Sequence, residues 1–317
     1  IYYLFIFNLY FIIIITIILL LISKYYTTNI MKIILTGGDG FLGKCLYNKL
    51  HKNNHTIFSY DIISGFDILD TQQLEKVFQE FKPDSIIHLA ACADLNIFRE
   101  KPEISYEINV IGTRNILDLC KKYNVRLLFA STCCCYGNNN VHPSDETSPI
   151  APTEPYAKSK AESEKEILEV GLPHCCMRLA TFYGPAMRAA LAPAVFLDKA
   201  HKNETIEIHG TGNQTRTLTY VNDIVNGIVT IAVNDPKYTI INITTEEIVS
   251  VKEMVKIAKD LTSNDVPIVN IEDRPGQIYE EMIHSKRLQE FGWKPLTLFK
   301  EGMKNSYDYY KNNNNKW

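Results

Sequence analysis

Three residues in this chain have the types and spacing for moving a proton. Tyr156 and Lys160 stand four apart in "PYAKSK", and on a helix residues i and i+4 share a face. A phenol with an ordinary pKa of about 10 is a poor base at neutral pH. An ammonium one turn away favours the phenolate and makes it a better one. Thr132 ends the apolar run "VRLLFAST" and offers a hydroxyl that can hold a substrate oxygen in the same place. Such a trio can take a proton from a substrate hydroxyl while a hydride leaves the carbon that bears it. On its own, Tyr-x-x-x-Lys is a common solvated helix face, and this chemistry requires a hydride acceptor.

The acceptor is implied by "TGGDGFLG". Gly37, Gly40 and Gly43 follow a short apolar run and open a helical stretch. The first glycine permits a tight turn, the second lets backbone approach a pyrophosphate, and the third lets helix and strand pack closely. The phosphates then sit at a helix N-terminus, where free N–H groups and the helix dipole favour anions. Asp61 in "FSYDI" stands about 20 positions on, where a carboxylate binds the ribose hydroxyls of NAD and repels a 2′-phosphate. No arginine between Ser59 and Asp67 favours NADP.

"ASTCCCYG" puts Cys133, Cys134 and Cys135 directly after Thr132. Adjacent residues of an extended chain point to opposite faces, so the three cannot ligate one ion together. No His/Cys partner set at zinc spacing follows, and no metal is expected. The cysteines read as small fillers, with Cys133 or Cys134 able to touch substrate. Cys175 and Cys176 read as core, His88 as a strand-end packing residue, and Asp223 as a helix cap.

Elements to hold these residues are legible as an alternation. "KIILT", "TIFSY", "DSIIHLAA", "VRLLFAST" and "HCCMRLA" read as strands. Helices are expected over residues 41–52, 71–81, 103–123 and 156–170. Ile108, Ile111, Asn115 and Leu119 mark the face of the third of these. Further on, "TIEIHG" and "YTIINIT" read as strands, "YVNDIVNGIVTIAV" and residues 251–261 as helices, residues 185–193 as a loop, and the tail "KNNNNK" as frayed. The pattern predicts an α/β fold of Rossmann type: a doubly wound parallel sheet with a smaller C-terminal substrate-binding lobe. Residues 31–181 would form the NAD-binding domain, with 220–243 returning to it. Residues 182–219 and 244–317 would form the lobe.

The chain has 317 residues and a formal net charge of −3, with no long basic run, which argues against nucleic acid as a partner. Its eight cysteines form no CxxC pair and mostly sit in apolar runs, which fits a reducing, cytoplasmic compartment. Residues 1–22, "IYYLFIFNLYFIIIITIILLLI", are long and apolar enough to span a bilayer. Two readings stand for residues 1–30. One is a membrane anchor whose flanking Lys24 and Lys32 leave the main domain facing the cytoplasm. The other is an upstream segment outside the mature protein, which would begin at Met31.

From Met31 to about residue 311 the chain resembles the extended short-chain dehydrogenase/reductases that act on nucleotide sugars. It is most similar to the NAD-dependent epimerase/dehydratase group, which includes the UDP-glucose 4-epimerases. The resemblance rests on "TGGDGFLG", "FDILD", "HLAA", "NVIGTRNIL", "STCCCYG", "YAKSK", "GTGNQTRTLTYVND" and "RPGQIYE", in that order. It implies Thr132, Tyr156 and Lys160 as the catalytic trio. It implies Phe41, Leu42, Ala90 and Asn109 beside the cofactor with Tyr156 and Lys160, and Asp67 and Ile68 near the adenine. Thr181, Arg216 and Arg274 would meet the nucleotide diphosphate, a role that suits a guanidinium fork. A homodimer through residues 103–123 and 156–170 is a further expectation of the resemblance.

The departures from the group are informative. Its 4,6-dehydratases carry Asp-Glu where this chain has Cys133 and Cys134, and its UDP-glucuronate decarboxylases keep a Glu at the second position. Without those carboxylates neither reaction is expected. Thr181 stands where Asn is usual, and Gln277 where Asp is usual. The reading is C4 epimerisation of a UDP-sugar through a transient 4-keto intermediate. The alternatives are a nucleotide-4-keto-sugar reductase and a catalytically silent NAD-binding protein on the same fold.

Overall fold

The computed structural model describes residues 30–93, 100–139, 141–234, 237–273 and 278–317. The apolar segment 1–22, Arg274 and Gln277 lie outside the described residues. The first half of the chain alternates: β1 (Lys32–Thr36), α1 (Phe41–Lys52), β2 (Thr56–Tyr60), α2 (Thr71–Phe81), β3 (Ser85–His88), α3 (Pro102–Tyr106), α4 (Gly112–Tyr123), β4 (Arg126–Thr132), α5 (Pro155–Leu168) and β5 (His174–Leu179). The elements that follow are shorter: β6 (Phe182–Tyr183), α6 (Ala192–His201), β7 (Ile206–His209), β8 (Thr215–Arg216), β9 (Thr219–Tyr220), α7 (Val221–Asn234), β10 (Ile240–Ile243), β11 (Val249–Ser250), α8 (Val251–Thr262), β12 (Ile268–Ile271), α9 (Lys286–Gln289) and α10 (Phe299–Asn312).

Six strands form one parallel sheet in the order β10-β5-β4-β3-β1-β2. A parallel sheet is covered on both faces, so its strands are apolar throughout rather than alternating. Ile33, Ile34 and Leu35 of β1 are all fully buried, as are Ile86 and Ile87 of β3. One face carries α1 and α7, whose Leu46, Leu50, Ile224 and Ile228 share a core with Ile33 and Leu35. Leu46 and Leu50, both fully enclosed, are each worth about 1.5–3 kcal/mol of burial. The other face carries α2, α4 and α5 around Ile34, Phe78, Ile116 and Ile167. Asp70 starts α2 by accepting from the Gln73 N–H at 3.0 Å, as an N-cap should.

The chain leaves β1 toward β2 on one side and reaches β3 on the other. That reversal opens a crevice beyond the strand ends, where ligands of such sheets bind. A second apolar core joins α6, α8 and α10 through Leu197, Val255, Met303 and Tyr310. Among the described residues no helix is long and apolar enough to cross a membrane.

Three expectations are corrected. The helix over 103–123 is interrupted: residues Glu107–Ile111 wind as a π-helix between α3 and α4. Its buried stripe is Ser105, Asn109, Thr113, Ile116 and Cys120, while Ile108, Ile111 and Asn115 are only half-buried. Residues 185–193 are loop only at first, because α6 begins at Ala192. The tail turns back instead of fraying: Asn315 N–H donates to Tyr310 O, and the Trp317 ring lies 4.7 Å from Tyr310.

Candidate active site

The glycine turn joins β1 to α1. Gly37 has φ +69°, and a Cβ there would lie 2.7 Å from Ala90 N, so a side chain is excluded on both counts. A Cβ on Gly43 would lie 2.1 Å from Gly37 O. Gly40 is different: it is exposed, and its nearest obstacle is Gly37 O at 3.3 Å. No side chain caps α1 at Gly40, and its first turn holds no acid. The helix therefore presents uncapped N–H groups and the positive end of its dipole over a bare backbone, a cradle that fits a pyrophosphate. Phe41 is half-buried against Phe182, with ring centroids 5.7 Å apart, and Leu42 is buried.

Asp61 follows β2 and is buried. Its Oδ2 accepts from Asp39 N–H at 3.0 Å and its Oδ1 from Ile63 N–H at 2.9 Å. Asp67 holds the next turn through Leu69 N–H at 2.9 Å, and Ile68 packs on Gly112 at the start of α4. Ala90, past β3, donates its N–H to Thr36 Oγ1 at 3.2 Å. The glycine turn and Ala90 thus follow the neighbouring strands β1 and β3, while Asp61, Asp67 and Ile68 follow β2 on the other side of β1.

The π-helical turn sets Asn109. Its Oδ1 accepts from Cys92 N–H at 2.8 Å, and its Nδ2 donates to Cys92 O at 2.9 Å and to Ser159 Oγ at 3.1 Å. Ser159 in turn donates to Tyr156 O at 2.8 Å, so Asn109 fastens the loop after β3 to α5. A second chain of bonds runs beside it. Thr113 donates to Asn109 O at 2.7 Å and so accepts from His88 Nε2 at 3.0 Å. His88 Nδ1 then accepts from the Thr36 hydroxyl at 2.6 Å. Burial, then Lys160, push the His88 pKa down to about 3, so the imidazole is neutral and acts as a fixed linker. Packing alone does not describe it.

Tyr156 and Lys160 stand on α5, started by Pro155 at its first position. Lys160 is 1% exposed, and its Nζ lies 4.3 Å from the Phe129 ring centroid with no hydrogen-bond acceptor. Burial pushes its pKa down to about 7. An enclosed ammonium without an acceptor, at the crevice of a dinucleotide fold, fits a group whose hydroxyls it would bind. The expected lowering of the Tyr156 pKa is not found in the chain alone. Burial of the half-buried phenol raises it, Cys134 adds to the rise, and Arg188 opposes it. The reason is geometric: the Lys160 amine turns toward Phe129 and His88.

Thr132 closes β4, 6% exposed, and its Oγ1 accepts from Cys134 N–H at 3.1 Å. Cys133 donates to Arg178 O at 3.2 Å. Burial pushes the Cys134 thiol up to about 11 and Cys135 to about 12, and raises Cys133 as well. These are protonated thiols rather than thiolates. All eight cysteines are free, and among the described residues no group of three or more His, Cys, Asp or Glu could hold a metal.

Thr181 and Arg216 line a cavity of about 350 Å3 between α6 and β7, with His209 and Gln214. Sequence reasoning missed Glu281, which accepts from the Thr217 hydroxyl at 2.8 Å. Burial raises its pKa, Arg216 opposes that, and its charge bears on Cys133 and Cys134. A carboxylate therefore reaches the corner that seemed to have none. Nothing near Thr132 in the sequence announces it, because it arrives from a distant segment. Asp223 does not cap its own helix; it accepts from Leu296 and Thr297 N–H, each at 3.1 Å.

A profile of the family described as "NAD dependent epimerase/dehydratase family" matches residues 33–244. A protein of Methanocaldococcus jannaschii, provisionally assigned as a UDP-glucose 4-epimerase, is 33% identical over 89% of this chain and 99% of its own length. The dTDP-D-glucose 4,6-dehydratase of Bos taurus is 29% identical over 90% of each chain. The crystal structure of UDP-glucose 4-epimerase from Thermotoga maritima, with UDP-glucose, superposes with a TM-score of 0.84 at 28% identity, covering 89% of this chain and 99% of that one.

Proposed function

Because the chain belongs to the NAD-dependent epimerase/dehydratase family, whose cofactor is NAD, we propose that it inverts C4 of a UDP-sugar. The observation that carries the reading is Tyr156 one helical turn before an enclosed, acceptor-free Lys160, with Thr132 at the end of the neighbouring strand. Gly37, Gly40 and Gly43 would hold the pyrophosphate of NAD, Asp61 its adenosine ribose, and Lys160 its nicotinamide ribose. NAD, when bound, supplies a hydride acceptor that returns what it takes, so net turnover consumes none.

The remaining work falls to side chains of this protein. Tyr156 takes the proton of the sugar 4-hydroxyl and later gives it back. Thr132 donates to the same oxygen and orients it. Lys160, once given acceptors, keeps its charge and favours the phenolate against the burial that opposes it. Arg216 binds the diphosphate, with Thr181 beside it in the 350 Å3 cavity. Cys133 and Cys134 contribute no charge next to Thr132, which removes the acid and base of a 4,6-dehydration from that position.

We further infer two lobes (residues 31–181 with 220–243, and 182–219 with 244–317), a homodimer through the helices of residues 103–123 and 156–170, and a cytoplasmic site of action. The eight free thiols suit that compartment.

Incubation with UDP-glucose, UDP-galactose and their N-acetyl forms tests the reading. The expected product is the 4-epimer with no net change in NADH. A dehydrated keto product and no epimer overturns it, and would turn attention to Glu281. Stoichiometric loss of NADH on a 4-keto sugar, without epimerisation, identifies a reductase instead.

A further inference from the structure

The turn that opens α1 contains a side chain that no glycine requirement explains. Gly37 and Gly43 are forced by backbone geometry, whereas position 39 between them carries a side chain. Asp39 is there, half-buried. Its N–H donates to Asp61 Oδ2 at 3.0 Å. Its carboxylate is held from the other side: Ser59 donates to Oδ1 at 3.3 Å, and the Ser64 hydroxyl donates to Oδ2. Ser59 precedes Asp61 by two residues on β2, and Ser64 follows it in the short 3-10 turn. Two carboxylates are thus gathered at the end of β2 and linked through one N–H. The side chains that orient Asp39 are neutral hydroxyls, and no ion pair of the described residues reaches either acid.

We propose that Asp39 is a second determinant of cofactor choice, acting with Asp61 to exclude a dinucleotide that carries a 2′-phosphate. This rests on the NAD site described above. A 2′-phosphate brings about two further negative charges. Here it would enter a basin with two acids and no paired cation. NAD, with hydroxyls in that place, can donate hydrogen bonds to both carboxylates. Asp61 alone is what the strand-two rule supplies; the glycine turn provides Asp39, on a separate element, and its two serines fix the direction of its charge. Selection is therefore divided between two carboxylates, and removing one leaves the other in force.

The test is displacement of labelled NAD from the full-length protein by unlabelled NAD or NADP, read as the ratio of the two half-displacing concentrations. Asp39→Asn keeps an acceptor for one serine, offers an amide N–H to the hydroxyl oxygen of the other, and removes the charge. It is expected to lower the NADP-to-NAD ratio about tenfold, the order of one screened charge at close range. Asp61→Asn is expected to do the same, and the double variant to lower it further than either. Asp39→Ser serves as a second variant if the first folds poorly, with the same direction expected. An unchanged ratio in the position-39 variants, whether or not Asp61→Asn moves it, overturns the proposal. A parent protein that retains no labelled NAD overturns the cofactor site, and the proposal with it.

Discussion

Lys160 is the residue whose surroundings make the sharpest claim. Its amine is enclosed over Phe129, and burial holds its pKa near 7. In an unfolded chain the same group keeps its proton to about 10.4. Between those two values the unfolded state binds more protons, so stability rises with pH; below about 7 the full penalty is present. Lys160→Met in protein stripped of nucleotide should therefore melt higher than the parent at pH 7, by about 2–4 kcal/mol, with the gap closing toward pH 10. Thermal melts across that range read it. A gap that does not change with pH would mean that the amine is solvated. Tyr156 and Lys160 were legible in the sequence because their relation is local, four positions on one helix. The direction of the amine was not, since it depends on Phe129 and His88 from other strands. Glu281 was invisible for the same reason.

The element with most to say is the π-helical turn at Glu107–Ile111. One extra residue in the winding brings Asn109 inward, where it satisfies both the N–H and the C=O of Cys92 and reaches Ser159. Such insertions gather at functional sites because they aim one side chain without breaking a helix. Asn109→Ala would leave buried backbone groups without partners, a cost of about 1–3 kcal/mol each. The expected result is a loss of about 2–4 kcal/mol in urea unfolding, with kcat falling as α5 loses its anchor to the loop after β3. A full-stability variant with unchanged kcat would refute that account. The helix itself was readable from its apolar spacing, but its buried face was misread. A single inserted residue shifts every later side chain around the axis, and composition carries no mark of it. Thr36, His88 and Thr113 are similar: each is an ordinary residue in its own segment, and only the strand order makes them a relay.

At the scale of the whole molecule, a buried ion pair between α5 and β5 starts a network that runs to β10 and beyond. Arg178 on β5 meets Glu164 on α5 at 2.5 Å, and Ser131 on β4 donates to the same carboxylate at 2.7 Å. Arg178 also donates to the Tyr136 hydroxyl at 2.9 Å, which donates to Asn242 on β10 at 2.8 Å. Asn242 Nδ2 finally donates to His284 O at 2.9 Å, and its backbone N–H donates to Glu146 at 3.0 Å. Glu164→Gln strands a buried guanidinium, so a loss of about 3–5 kcal/mol is expected, much of it recovered in Glu164→Gln/Arg178→Met. Equilibrium unfolding of the two variants decides; equal losses would mean that the stranded guanidinium is not what costs stability. The parallel sheet was legible because its strands are continuous apolar runs joined by helices. Much of the chain after β5 was not, since two-residue strands such as β6, β8 and β9 leave no periodicity to read.

That run of bonds from Glu164 to His284 contains donors and acceptors matched end to end, with almost nothing left over for water. A lineage carrying it cannot drift one position at a time, for each solitary exchange orphans the next member. Change along it should come as linked exchanges, and a deep mutational scan would find tolerance at positions 136, 164, 178 and 242 appearing jointly or hardly at all.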